Sequence, residues 1–196
     1  MLRYLYSYLL KNMGWKFEGS FEPRPPKFIV IVAPHTTNLD FVIGVMARSA
    51  LKLTKTKYLG KSQLFRFPHG FIFRALGGYP VDRTRHNNLV DAVVALFDSK
   101  QEFSIALAPE GTRAKVDRIK TGFYYIARKA NLPIFLVGFD YSRKTIVING
   151  PMFATNNAKD DFKNIISFFS KIRGKYPELG VTMEHFERMK EQIEAQ

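Results

Sequence analysis

The apolar positions of this chain change period along its length, from helical spacing to strand-length runs and back. Leu2, Leu5, Leu9 and Met13 recur at helical intervals with Tyr4, Tyr6 and Tyr8 around them, which predicts a helix over residues 2–13 that is apolar on nearly all sides. After Pro23, Pro25 and Pro26 comes KFIVIVA, residues 27–33, a β-branched run without alternation, as in a strand covered on both faces. Helical periodicity returns over residues 41–53. A short strand near 57–60, an aromatic stretch over 64–76 and a strand around 79–82 follow. Asn87 or Asn88 then caps a helix on which Leu89, Val93, Leu96 and Phe97 share a face. FSIALA, residues 103–108, reads as another buried strand. A helix over 121–130, strands over 134–139 and 145–148, and helices over 159–173 and 183–194 complete the chain.

Strand, helix and strand in repetition imply an α/β fold: a mixed, largely parallel sheet flanked by helices, with an N-terminal amphipathic or apolar helix. We expect the 196 residues to form one domain, with a helix and lead-in over 1–26, an α/β core over 27–150 and C-terminal helices over 151–196. In open sheets of this kind ligands bind beyond the carboxyl ends of the strands. The loops after residues 33, 82 and 108 are therefore the places to search for a site.

Composition narrows the chemistry. The chain has no cysteine, which removes disulfides, thiolate nucleophiles and thiolate metal sites. Residues 2–10 are about half the length of roughly 20 apolar residues that a spanning helix needs, and no small-residue cleavage site follows them. The N-terminal helix is thus expected either to pack under the domain or to lie in a bilayer interface, with its tyrosines and Trp15 at headgroup depth. A formal charge of +13, spread without a run of five basic residues, predicts a folded surface that attracts anionic lipid, nucleic acid or acidic proteins.

Three segments carry candidate chemistry. Directly after the first buried strand, PHTTNLDF places His35 at the strand end and Asp40 five residues on, a general base with a carboxylate to orient it. The same residues also suit a plainer role, because Thr37 followed by Asp40 resembles a capping box for the next helix. After the strand over 103–108, PEGTR makes a tight turn that can aim Glu110, backbone amides and Arg113 at a phosphate-bearing ligand, or else is an ordinary turn with a solvated ion pair. In GGYPVDR, paired glycines permit close backbone approach and Arg83 suits a phosphate monoester, against the alternative of a solvated surface arginine.

In order and spacing these segments resemble the glycerophospholipid acyltransferase family, which includes the 1-acylglycerol-3-phosphate acyltransferases. The His-x4-Asp motif of that family matches His35 and Asp40, the Gly-led strand ending in Arg matches residues 78–83, and Pro-Glu-Gly-Thr-Arg matches residues 109–113. A fourth motif, a proline within an apolar strand, matches Leu132, Pro133 and Ile134 in part: Leu136 stands where a second proline is usual. Pro34 also replaces the common Asn before the histidine.

The resemblance implies a role for each position. His35 would deprotonate an acceptor hydroxyl for attack on an acyl thioester and Asp40 would orient it. Lys61 and Arg83 would hold the acceptor's phosphate, and Glu110, Gly111, Thr112 and Arg113 would complete the acceptor pocket. It further implies acyl-CoA or acyl carrier protein as donor substrate, a lysophospholipid acceptor, no cofactor and no metal. A peripheral or monotopic position on the cytoplasmic face of an anionic membrane would follow. Lyso-aminolipids and glycerol phosphate are alternative acceptors. A basic nucleic-acid-binding module is the rival class, motivated by Phe65, Phe67, Phe71 and Phe73 interleaved with Arg66 and Arg74, but no nucleic-acid-binding fingerprint accompanies them.

Overall fold

The unalternating run at residues 27–32 is apolar on both sides because it forms the middle strand of the sheet. The computed structural model describes residues 2–81 and 89–194. In chain order the elements are α1 (Leu2–Asn12), β1 (Lys16–Glu18), β2 (Lys27–Val32), α2 (Asn38–Ala50), β3 (Lys57–Lys61), α3 (Gly70–Ala75) and β4 (Gly78–Val81). They continue with α4 (Leu89–Asp98), β5 (Phe103–Leu107), α5 (Gly122–Lys129), β6 (Ile134–Asp140), β7 (Thr145–Met152), α6 (Ala158–Phe169) and α7 (Met183–Glu194).

Among the described residues the strands form one seven-stranded sheet in the order β1-β7-β6-β2-β5-β3-β4. Every pairing is parallel except the antiparallel β6–β7 hairpin, so β7 and β1 run against the other five strands. The expected mixed, largely parallel α/β architecture is what the chain forms.

Alternate residues of β2 feed two cores. Phe28 and Val30 join Ile43, Met46 and Ala47 of α2 and Leu10 of α1 on one face of the sheet. Ile29 and Ile31 join residues of α4, α5, α6 and α7 on the other. Helix α1 packs on the domain through part of its surface. Leu10 is buried against α2, whereas Leu2, Tyr4, Leu5, Tyr8 and Leu9 are exposed. No helix of the described residues is long and apolar enough to cross a membrane.

Three departures from the sequence expectation have a local reason. Helix α2 begins at Asn38 rather than near residue 41, because Thr37 caps it and polar residues fill its first turn. Strand β7 runs on to Met152 through Asn149, Gly150 and Pro151, residues that do not mark a strand in sequence. Strand β1 went unpredicted: it has three residues, all exposed, and exists only as an edge paired to β7.

The topology gathers one edge. Strands β2, β3, β4, β5 and β6 end there and β7 and β1 start there, so the loops after β2, β5 and β6 lie on one side of the sheet. The predicted search positions after residues 33 and 108 are on that edge; the one after residue 82 lies outside the described residues.

Phe135 of β6 is fully enclosed and packs its ring against Phe21 and Phe28, with centroids 4.8 and 5.5 Å away. Phe135→Ala is expected to destabilise the fold by about 3–5 kcal/mol, read as a lowered urea midpoint with an unchanged slope.

Candidate active site

The loop leaving β2 turns at Pro34 and delivers His35 half-buried at the sheet edge. Thr37 is the N-cap of α2 and Asp40 its third residue, and the two complete a capping box in which the Asp40 side chain accepts from the Thr37 amide. The carboxylate does more than cap. Its Oδ2 accepts from the amides of Thr36 at 2.7 Å and Thr37 at 2.9 Å, and lies 3.2 Å from His35 Nδ1. One oxygen atom therefore both caps the helix and meets the His35 ring.

The other oxygen, Oδ1, accepts from the Tyr141 hydroxyl at 2.7 Å. Burial alone would push the Asp40 carboxyl up, but hydrogen bonds from His35, Tyr141, Thr37 and Thr36 outweigh it and hold the group below the usual carboxylate range. The Tyr141 hydroxyl moves the opposite way, raised by its burial and by the Asp40 charge it faces. Asp40 thus stays ionised where its side chain is only 1% exposed, while the His35 ring remains 20% open.

Glu110 approaches from the loop after β5. Its Oε1 accepts from the His35 amide at 2.9 Å, so the carboxyl grips the backbone of the loop that carries the imidazole. Its Oε2 is enclosed without a hydrogen-bond partner among the described residues. Burial is the largest influence and pushes this carboxyl up to about 7; amide hydrogen bonds and the His35 ring pull it down, and Asp40 adds to the rise.

The remaining predicted residues fall as follows. Gly111 has φ +68, a conformation that favours glycine in the turn after Glu110. Thr112 and Arg113 are exposed in the loop beyond, with Thr112 Oγ1 accepting from the Ala114 amide at 3.3 Å. Lys61 ends β3 on the same edge, in register with Val81. Arg83 lies outside the described residues. Sequence reasoning missed Tyr141, which follows β6 and reaches Asp40 across the sheet edge; nothing in the local sequence marks it.

His35 and Asp40 also form part of the wall of a cavity of 210 Å³ between α2 and the sheet. Its other walls are mainly apolar, among them Val30, Phe41, Gly44, Ala47, Leu51 and Ala106, with Arg48 and Thr56 as further polar members. Among the described residues no group of three or more His, Cys, Asp or Glu side chains is arranged to hold a metal ion.

The site thus sets a histidine against a buried carboxylate and a largely apolar cavity, at the carboxyl edge of the parallel strands of an α/β fold. The profile of the acyltransferase family, that of the glycerophospholipid and 1-acylglycerol-3-phosphate acyltransferases, matches residues 17–140, and the chain belongs to this family. It is an acyltransferase. A search of curated proteins returned no match.

Two outcomes follow from the geometry. Tyr141→Phe retains the ring that packs on Trp15 but removes the hydroxyl, so the fold should lose about 1.5–3 kcal/mol in urea unfolding at neutral pH. The Asp40 carboxyl should also titrate at higher pH in that variant, as nuclear magnetic resonance of the side chain would register. For Glu110 the folded pKa, about 7, lies above the ordinary 4.5. The unfolded chain therefore ionises first as pH rises, and stability present below about 4.5 is lost by about 7. Glu110→Gln should abolish that loss, gaining about 2–3 kcal/mol on wild type between the two pH values, measured by urea unfolding at each.

Proposed function

We propose that the chain transfers a fatty acyl group from an acyl thioester to the hydroxyl of a lysophospholipid, 1-acylglycerol-3-phosphate, giving phosphatidate. The observation that carries this reading is the position of His35 and Asp40 in the wall of an otherwise largely apolar cavity. The cavity takes the acyl chain and brings the thioester carbonyl to the imidazole.

With Nδ1–H donated to Asp40, the His35 Nε2 is left with a lone pair for the acceptor's proton. The deprotonating hydroxyl oxygen attacks the thioester carbon, a C–O bond forms, and the carbonyl becomes a tetrahedral oxyanion. Collapse breaks the C–S bond, and the imidazolium returns its proton to the leaving thiolate. The products are an ester and a free thiol, with His35 restored. Asp40 stabilises the imidazolium without itself taking the proton.

Lys61 and Arg83 hold the acceptor phosphate in this scheme. Gly111, Thr112 and Arg113 line the approach, and an amide of that turn assists the oxyanion. Glu110 acts through the His35 backbone, since its carboxyl is 5% exposed. Coenzyme A and acyl carrier protein, the two candidate donors, are anionic, as are the acceptor and many membrane surfaces, and a net charge of +13 suits all of them. A bilayer-resident acceptor requires the enzyme to work at the membrane surface.

The test is an assay of the purified chain with acyl-CoA and acyl carrier protein donors against lysophosphatidate, glycerol phosphate and a lyso-aminolipid. Lysophosphatidate should be the preferred acceptor, and a strong preference for either of the others would replace it. His35→Ala should lower turnover about 10²–10⁴-fold without unfolding the chain; near-normal turnover would refute the base assignment. Arg83→Ala should raise KM for a phosphate-bearing acceptor roughly tenfold and leave a phosphate-free one unchanged. An equal effect on both would remove the phosphate role.

A further inference from the structure

A larger concavity than the one beside His35 lies among the described residues. It is an open groove of 680 Å³ at the same sheet edge, formed where the end of α1, the start of α2, the β6–β7 turn and the segment after α6 meet. Tyr141 links the two places. Its hydroxyl holds Asp40, and its ring lines the groove, whose walls do not include His35.

The groove is amphiphilic in a specific way. Trp15 and Ile43 are buried within it, at 7% and 2% exposure, while Met13, Leu39 and Val42 line it as exposed apolar side chains. Lys144, Arg173 and Lys175 also line it, and no carboxylate of the described residues does. Lys144 donates to the Met13 carbonyl at 2.9 Å, tying the end of α1 to the β6–β7 turn. Lys175 Nζ stands 5.9 Å from the Tyr141 ring centre. Arg173 and Lys175 are exposed and have no carboxylate partner in the ion pairs of the described residues.

The surroundings extend this pattern. Leu2, Leu5 and Leu9 lie along α1 at helical spacing, each exposed, and the row leads to Met13 in the groove. Apolar side chains beside unpaired cations are suited to an amphiphile with an anionic head; a soluble anion would use the cations and leave the apolar row unused.

We propose that this groove seats the headgroup of an anionic bilayer phospholipid, distinct from the reacting acceptor, with the exposed row of α1 lying in the interface beside it. The phosphate meets Arg173 and Lys175, and the apolar lip enters the upper acyl region. Because Tyr141 is common to the groove and to Asp40, and its amide donates to the Arg173 carbonyl at 2.9 Å, an occupied groove bears directly on the partners of the candidate base. The seat goes beyond the acyl-transfer reading, and its test needs no turnover, so either can fail without the other.

Trp15, the chain's single tryptophan, supplies the reporter. The full chain would be mixed with phosphatidylcholine vesicles, with or without one-third phosphatidylglycerol, carrying a lipid spin-labelled near the headgroup as quencher. Phosphatidylglycerol vesicles are expected to bind the chain and quench Trp15, and pure phosphatidylcholine to do neither to a comparable degree. At roughly fivefold per cation near a charged surface, Arg173→Gln with Lys175→Gln should lower the partition coefficient about 25-fold and relieve the quenching. Lys100→Gln with Lys163→Gln removes the same charge from α6 and the end of α4, which pack on the other face of the sheet, and should change partition about twofold or less. Equal losses from the two pairs would show that net charge, not the groove, attracts the bilayer. Binding without Trp15 quenching, or equal binding to both vesicle types, would also overturn the proposal.

Discussion

Asp40 brings a charge into a place where a charge is costly, and much of the sheet edge is organised around that cost. An ionised carboxylate with a side chain 1% exposed is tolerated only when its lone pairs are filled, and here four donors fill them: the Thr36 and Thr37 amides, the His35 ring and the Tyr141 hydroxyl. Each donor is fixed by a different part of the fold. The amides belong to the cap of α2, the imidazole to the loop leaving β2, and the hydroxyl to the turn between β6 and β7. Satisfying one carboxylate therefore aligns three segments and sets the direction of the histidine ring.

A second carboxyl a short way off shows the contrast. Glu110 is also buried, but its contacts are fewer and one oxygen has no partner among the described residues, so burial wins and its pKa rises to about 7. Asp40, with more donors, moves down. Neighbouring acids with opposite shifts divide the labour: one remains a charge that polarises His35, the other is readily neutral and clamps the His35 backbone. The apolar cavity and the amphiphilic groove are both lined by residues of α2, and the hydrogen bond from Tyr141 of the groove to Asp40 of the cavity connects them.

Much of this was legible in the sequence, and the omissions have physical causes. Strand β2 announced itself because a middle strand must be apolar on both faces, and the His35 to Asp40 spacing announced itself because a helix cap folds the third helical residue back over the loop before it. The sequence presented a helix cap and a His35–Asp40 contact as rivals, since letters cannot show one oxygen accepting from several donors at once. Tyr141 was illegible for another reason: its contact with Asp40 spans 101 residues and exists only because β6 and β2 are neighbours. The direction of Glu110 was not legible, because the turn chemistry of Pro109 and Gly111 does not say that the side chain points inward to the His35 amide. Strand β1 escaped because three exposed residues at an edge carry no apolar pattern. Helix α1 read as apolar all round, and the structure buries chiefly Leu10 while leaving most of the rest exposed.

The central claim is that Asp40 fixes the His35 ring with its proton on Nδ1, leaving Nε2 as the basic nitrogen. Nitrogen-15 nuclear magnetic resonance of the His35 ring measures this without a substrate, in conditions where the ring is neutral. The account predicts a protonated Nδ1 and an unprotonated Nε2 in the wild-type chain, with that preference lost in Asp40→Asn. A neutral His35 that carries its proton on Nε2 in the wild type, or a preference unchanged by the substitution, would contradict it.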